Sequence, residues 1–437
     1  MNVSRRKLLL STMFGAGAVG LRALATGLPV SFFSGIKEAK AADPPPACTK
    51  PQYVFFLTSG SGDPLNANVP GTFDDPGIYH SADPAMAPKD MTLGGKTVKA
   101  ATPWANLQPE LLNRAVFFHH STYTNSHGDH AKVNRLQGAV QRQEMLISLF
   151  AKNLKPCLST VQANPVVLSN NLITFNGAVQ PVLTPSSLQA VLLAPTGPLL
   201  NLQKIRDTHL DQLNAMMKES GTKAQKDMLD RYALSQNEAR TLSQDLLTDL
   251  ATVRGGGRND LNTAAAVLFK MNVSPVLVAG YSFGGDNHGD TNLAGETRET
   301  IASVTALGDL YTKLVKYGLQ DQVTIAIQNV FGRTLSTKAH SNEPNGRNHN
   351  ANHHCTVMIG ANLKAGVIGG VKLQKNQFDY QATGFDSATG AANEAGDVPF
   401  EETLESVGKT FGRAVGVSAA VLDDQITKGK VITAALA

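Results

Sequence analysis

VTIAIQNV (Val323–Val330), FGRT (Phe331–Thr334), a polar loop closing on GRNHNANHH (Gly346–His354), then CTVMIGANLKAGVIGG (Cys355–Gly370): this stretch decides the fold. Its two apolar runs predict buried strands. Between them runs a loop carrying His340, His349, His353 and His354. Loops held by a rigid scaffold are where site residues concentrate. Imidazole is also the commonest nitrogen ligand for metals.

Outward from there, the same strand signal recurs. Gln52–Thr58, Ala115–Phe118 and Pro275–Gly280 are near-continuous apolar runs, the kind a parallel sheet buries on both faces. Each ends in a turn of small or polar residues: Ser59–Asp63, His119–His130 and Tyr281–Asp290. In open α/β sheets, ligands bind at those carboxyl ends. Apolar spacing predicts helices over Trp104–Arg114, Ala131–Val140, 143–153, Thr297–Tyr317 (capped by Gly318), Glu401–Val415 and Ser418–Lys428. Short strands are expected within Val166–Val191, and irregular loop over 64–100 and from 371 to Pro399. Apolar residues from Ile205 to Leu250 recur near helical spacing and predict a pair of long helices, broken at Arg254–Arg258. The expected fold class is α/β: one domain over 52–437, with a mostly parallel central sheet, helices on both faces, and a helical insertion at about 200–262.

Residues 1–41 predict a twin-arginine signal peptide. Arg5-Arg6-Lys7 is a basic start with paired arginines, Leu8–Phe33 is modestly apolar, and Ala39-Lys40-Ala41 is an A-x-A cleavage signal. A signal anchor competes, but a spanning helix needs about 20 mostly apolar residues, and Arg22 and several glycines interrupt this one. Residues 42–51 form a Pro-rich linker. No segment of the mature chain is apolar enough to span a membrane. The expected location is periplasmic or secreted, with the twin-arginine translocase as export partner. The formal charge of +4 belongs to the signal: removing its six basic and one acidic residues leaves 33 basic and 34 acidic, a net of −1. That balance offers no footprint for nucleic acid. Of Cys48, Cys157 and Cys355, two can pair and one is left over.

Four strands thus end in polar clusters: Ser61 and Asp63; His127, Asp129 and His130; Asp286 and His288; His349, His353 and His354. Of eleven histidines, only His209 falls well inside a predicted helix. Carboxylate with imidazole suits a divalent metal such as zinc, manganese or iron. Singly the signals are weaker. Asp286-x-His288 is as readily a polar turn, and His127 and His130 at a helix start compete with a capping role. Ser61 is more often a turn residue than a nucleophile, since a hydroxyl needs a base or a metal beside it to react.

FGRT after a strand, GR-x-H, the run GANLKAGVIGG and the upstream Asp-x-His turn together resemble the secreted proteins grouped as domain-of-unknown-function family 1501, over about Tyr53 to Gly370. Those proteins resemble, at fold level, the alkaline phosphatase and sulfatase superfamily. The resemblance implies an alkaline phosphatase-like sheet, metals at its carboxyl rim flanking a Ser or Thr nucleophile, and hydrolysis of phosphate or sulfate esters. Asp286 and His288 match the family's D-x-H, and His349 matches the histidine of its GRDH. Asp63 and His353 on the same rim complete the expected metal ligands, with Ser61 as nucleophile. Arg333 of FGRT is expected to clamp the anionic ester, because guanidinium matches such oxygens bidentately; a buried arginine bracing the loop is the alternative. Two departures matter. Val330 stands where the family's SEFGRT has an acid, and Asn348 where GRDH has one. Losing two carboxylates argues for one ion rather than two. The expected function is an exported metal-dependent hydrolase of a small anionic ester, with a degenerate metal site. The alternative is a non-catalytic binding or assembly protein with an unknown periplasmic partner.

Overall fold

The apolar runs become a seven-stranded sheet in the computed structural model of the protein, which describes residues 48–169, 171–193, 198–223, 225–226, 229, 244–336 and 346–437. The expected export signal, most of the linker and His340 lie outside these residues. The described residues form two compact units, Leu183–Met271 and 48–182 with Asn272–Ala437.

The larger unit holds the sheet: β1 (Tyr53–Ser59), β2 (Ala115–His120), β3 (Val166–Val167), β4 (Val276–Gly280), β5 (Val323–Asn329), β6 (His354–Ile359) and β7 (Gly366–Ile368). Their order is β7-β2-β6-β5-β1-β4-β3. β1 pairs in parallel with β4 and β5, β3 with β4, and β7 with β2. Only β6 runs antiparallel within it, against β2 and β5. The sheet is therefore mostly parallel, as expected.

β2 and β5 are buried along their whole length, which requires cover on both faces. On one face, Val54, Phe56, Val116, Phe118, Val278 and Met358 share a core with α1 (Leu146–Leu158) and with Leu404, Val407 and Phe411. Phe411 meets Phe150 edge-on, with ring centroids 5.0 Å apart. On the other face Phe117 receives Trp104 edge-on at 5.5 Å. α2 (Ala294–Lys316) begins where Asp290 accepts the Gly295 and Glu296 N–H groups, at 2.7 and 2.8 Å. It ends as predicted at Gly318 (φ +68°), with the Leu319 N–H on the Leu314 carbonyl. α3 (Thr403–Ala414) and α4 (Ala419–Gln425) follow.

Several expectations are corrected. Pro109 splits the helix expected over Trp104–Arg114 into Thr102–Ala105 and Pro109–Leu112. Only His130–Val133 of the next is α-helical, and left-handed Leu136 and Gln137 break the rest. Residues 64–100 are not all loop: Pro88–Leu93 and Lys96–Ala101 pair antiparallel around Gly94 and Gly95. Val371–Leu373 and Tyr380–Ala382 form another hairpin. Pro185–Leu192, expected among short strands, is a helix capped by Thr184.

The smaller unit is helical: Pro185–Leu192, Pro198–Ser220, Gln244–Ala251 and Arg258–Lys270. This unit, Leu183–Met271, is wider than the insertion expected at about 200–262, and its last helix follows the expected break at Arg254–Arg258. Gln189 Nε2 donates to the Leu250 and Val253 carbonyls, both at 2.9 Å. Among the described residues no helix is long and apolar enough to cross a membrane. Cys48 and Cys157 form a disulfide spanning 109 positions, and Cys355 is a buried free thiol. Closing so long a loop stabilises the fold by roughly 4–5 kcal/mol on the chain-entropy estimate.

Candidate metal centre

Parallel pairing brings the carboxyl ends of β1, β4 and β5 to one rim: Thr58 faces Gly280 and Ser59 faces Asn329. β6 is antiparallel to both β5 and β2, so β2 also points to this rim, where His120 faces His354. Four turns therefore leave one edge of the sheet.

Asp286, His288, His349 and His127 meet there. Nε2 of His288 lies 2.9 Å from Nε2 of His349 and 3.2 Å from Asp286 Oδ1. Nε2 of His349 is 3.9 Å from Asp286 Oδ1, and Nε2 of His127 is 3.5 Å from Asp286 Oδ2. Donor atoms of His127, Asp286 and His349 all lie within 4.8 Å of one another. The second nitrogen of each ring has its own partner. His127 Nδ1 faces the Gly60 carbonyl at 2.9 Å, His349 Nδ1 the Asn125 carbonyl at 2.6 Å, and His288 Nδ1 the Asn348 Oδ1 at 3.2 Å. These oxygens only accept, so each Nδ1 carries the hydrogen and each Nε2 presents a lone pair. Two such lone pairs 2.9 Å apart suit a cation shared between them, a proton or a metal ion. With metal–nitrogen bonds of about 2.1 Å, two nitrogens at right angles on one ion stand about 3.0 Å apart. The residues present therefore fit a divalent ion. Outer partners that fix the tautomer are also what ligating histidines have.

The group is open to solvent, with the Asp286 side chain 48% exposed. Partial burial works to raise the Asp286 carboxyl, but the hydrogen bond and charge of Arg333, with His288 and His127, carry it below the usual carboxylate range. Burial lowers the His349 imidazole against the Asn125 hydrogen bond, and the charge of Arg333 adds to it. Phe331 forms an apolar floor, its ring 4.3 Å from that of His349 and 5.0 Å from that of His127.

Arg333 is fully buried behind the group. Its Nε donates to the Gly62 carbonyl at 2.5 Å. Its Nη2 donates to the Ser61 carbonyl and Asp286 Oδ1, both at 2.7 Å, and to the Gly285 carbonyl at 3.3 Å. Its Nη1 reaches His288 Nε2 at 3.3 Å and the Arg347 carbonyl at 3.4 Å. The guanidinium thus braces the rim turns and holds Asp286, which is the bracing alternative rather than a clamp with donors to spare. Arg347, just before Asn348, is buried too. Its Nε and Nη2 grip Glu296 of α2 at 2.8 and 3.2 Å, and its Nη1 donates to the Thr334 carbonyl at 2.9 Å. Gly346 precedes it because a Cβ there would lie 1.5 Å from the Asn287 carbonyl oxygen.

Two expected ligands are not brought into the group. Asp63 is buried beneath the rim, accepting from the Gly285 N–H at 2.6 Å and the Ser282 hydroxyl at 3.4 Å. Burial pushes its carboxyl up to about 6 against those hydrogen bonds. His353 is buried with both ring nitrogens engaged, by His119 and Asn66. Ser61 lies beside the group, since its carbonyl shares Arg333 Nη2 with Asp286. Among the described residues, none hydrogen-bonds its Oγ. His130 turns to Thr58 Oγ1 at 2.8 Å, away from His127. Val330 is buried in the core, and Asn348 orients His288. Sequence reading put His127 in a rim cluster but not among the expected ligands, and did not single out Arg347 as an anchor. Signals for both were present: a turn directly after a strand, and an arginine inside a family motif.

Compared with known proteins, residues 198–382 match the model of a family described as protein of unknown function (DUF1501). The match supports the family to which the motifs pointed, and it includes Asp286, His288, Arg333 and His349 but not His127 or Ser61. No curated protein matches the chain. A crystal structure described as Ps i-CgsB in complex with k-i-k-neocarrahexaose is similar at 11% identity and a TM-score of 0.39, over 87% of this chain and 75% of that one. At that score the likeness carries no argument.

Proposed function

We propose that the protein is an exported metal-dependent hydrolase of phosphate or sulfate esters, on an alkaline phosphatase-like scaffold. It would use one divalent ion, zinc, manganese or iron, held by His127, Asp286 and His349 with His288 beside them. The observation that carries this reading is the convergence of three Nε2 lone pairs on one carboxylate, each with its Nδ1–H anchored. When bound, such an ion supplies a Lewis acid and a water or hydroxyl acidified toward neutral pH. Arg333 keeps Asp286 ionised and in place. The Gly60, Asn125 and Asn348 acceptors hold the three imidazoles in the ligating tautomer. Phe331 excludes water from beneath them. Ser61 is the assigned nucleophile; with no base on its Oγ, its activation depends on the ion. Export is supported by Arg5-Arg6 and the A-x-A signal, and by the Cys48–Cys157 disulfide, a bond that persists in oxidising compartments.

The replacement of two acids by Val330 and Asn348 favours a second reading, a non-catalytic binding or assembly protein on the same scaffold. Aryl phosphate and aryl sulfate esters, assayed with each of the three metals, separate the two. Turnover that Asp286→Asn abolishes supports the hydrolase. Metal binding with no turnover of either ester class overturns it in favour of the second reading.

A further inference from the structure

Behind the rim lies a second histidine group that the site does not use. We propose that Asn66, His353 and His119 form one directed hydrogen-bond chain that fixes the backbone of Arg333, and through it the Asp286 carboxylate. Only the effect on metal binding rests on the reading above.

The chain has one consistent direction. The Pro70 carbonyl only accepts, and it lies 2.8 Å from His119 Nε2, so that nitrogen carries the hydrogen. In the neutral ring Nδ1 then holds a lone pair, and it accepts from His353 Nε2 at 2.9 Å. His353 Nδ1 in turn accepts from Asn66 Nδ2 at 3.0 Å. The same Nδ2 donates to the Arg333 carbonyl at 2.8 Å, and Asn66 Oδ1 accepts the Arg333 N–H at 2.9 Å. Turning the amide over would set oxygen against carbonyl and NH2 against N–H.

All three side chains are fully buried, where an unmade hydrogen bond costs about 1–3 kcal/mol. Burial also drives both imidazoles to the neutral form, His119 to about 4. Their rings stack 11° from parallel with centroids 5.2 Å apart. The surroundings leave no slack. A Cβ at Gly332 would lie 2.1 Å from the His353 carbonyl oxygen, and one at Gly71 2.7 Å from His119 Nε2. These are positioning residues, since none of the three contacts the metal-ligand group.

The test is ¹⁵N-histidine NMR on the whole protein, with hydrogen exchange at the Arg333 Nε–H and a zinc titration, in wild type and Asn66→Asp. At pH 8, where the new carboxyl is ionised, aspartate keeps the acceptor for the Arg333 N–H but cannot donate. The chain must then reverse: His353 donates from Nδ1 to the carboxylate and accepts at Nε2 from His119 Nδ1–H. His119, still donating to Pro70, becomes imidazolium. In wild type both rings are expected with hydrogen on Nε2 and a bare Nδ1, and the Arg333 Nε–H protected. In Asn66→Asp, His119 should carry both hydrogens, Arg333 Nε–H exchange should rise at least about tenfold, and zinc affinity should fall about 10–100-fold. If Asn66→Asp does not fold, His119→Leu should loosen Arg333 while His119→Gln, which can accept and donate in the same sense, preserves it. Wild-type His353 protonated on Nδ1, or unchanged Arg333 exchange in a folded Asn66→Asp or His119→Leu, overturns the proposal. Failure of wild type to bind zinc would sink the metal reading alone, because the ring and exchange measurements still report on the chain.

Discussion

Glu296→Gln tests whether the loop that delivers His349 is anchored by the buried pair behind it. Both carboxylate oxygens of Glu296 face donors. Oε1 accepts from Asn68 Nδ2 at 2.8 Å and Arg347 Nη2 at 3.2 Å, and Oε2 from Asn287 Nδ2 at 3.0 Å and Arg347 Nε at 2.8 Å. Whichever way a glutamine turns, its NH2 meets two donors. The substitution also removes the negative charge that faces the fully buried Arg347 guanidinium, leaving it the glutamine oxygen and the Thr334 and Tyr79 carbonyls. Breaking a buried pair from one side costs about 3–5 kcal/mol, against under about 1 kcal/mol for an exposed pair. Guanidinium unfolding followed by the fluorescence of the single tryptophan, Trp104, reads the sheet unit directly. The unfolding free energy should drop by about 3–5 kcal/mol. Glu296→Gln combined with Arg347→Met should recover much of it, because the unpaired charge is gone. A Glu296→Gln variant within about 1 kcal/mol of the parent would refute the anchoring.

Gly62→Ala should cost more than about 2 kcal/mol, because its Cβ would lie 1.9 Å from the Phe331 ring at a φ of +65°; unfolding at the parent midpoint checks it. Acid should destabilise the fold steeply. Burial depresses His119, His120 and His130 to about 4, and His353 and His354 well below the ordinary value of 6.5. Their unfolded forms bind the protons, so this stability is complete above pH 6.5 and is lost as pH falls toward 4. Asp63, raised to about 6, and Glu405, raised to about 7, work the other way with up to one proton each, and Asp379, also raised, adds a smaller part. Denaturation midpoints from pH 8 to 4.5 should therefore show a net uptake of at least about two protons on unfolding near pH 5.5; a flat profile would contradict the buried neutral histidines.

Much of the sheet was legible because continuous runs of branched and aromatic residues, as in Tyr53–Leu57 and Val323–Ile327, leave no polar face to expose. The rim followed from parallel pairing, so Asp286, His288 and His349 could be grouped in advance. The hairpin at 88–101 went unread although Gly94-Gly95 is a two-residue turn signal with both φ positive; its strands are mostly exposed and lack the apolar run. His127 was set beside His130 by helical spacing. The turn at His127–Asp129 instead sends one ring to Asp286 and the other to Thr58. Asp63 and His353 were placed on the rim by sequence position, but the side-chain direction that buries both is set by packing across strands. The same limit hid the roles of the arginines: only the fold shows that Arg333 and Arg347 spend their donors on the chain itself.

The most direct test of the rim as a metal centre is the metal content of the whole protein purified without added metal. About one equivalent of zinc, manganese or iron per chain, lost in His349→Ala and Asp286→Asn variants that melt like the parent, is the predicted result. Protein that carries no metal, and takes up none of the three ions when titrated, would contradict it.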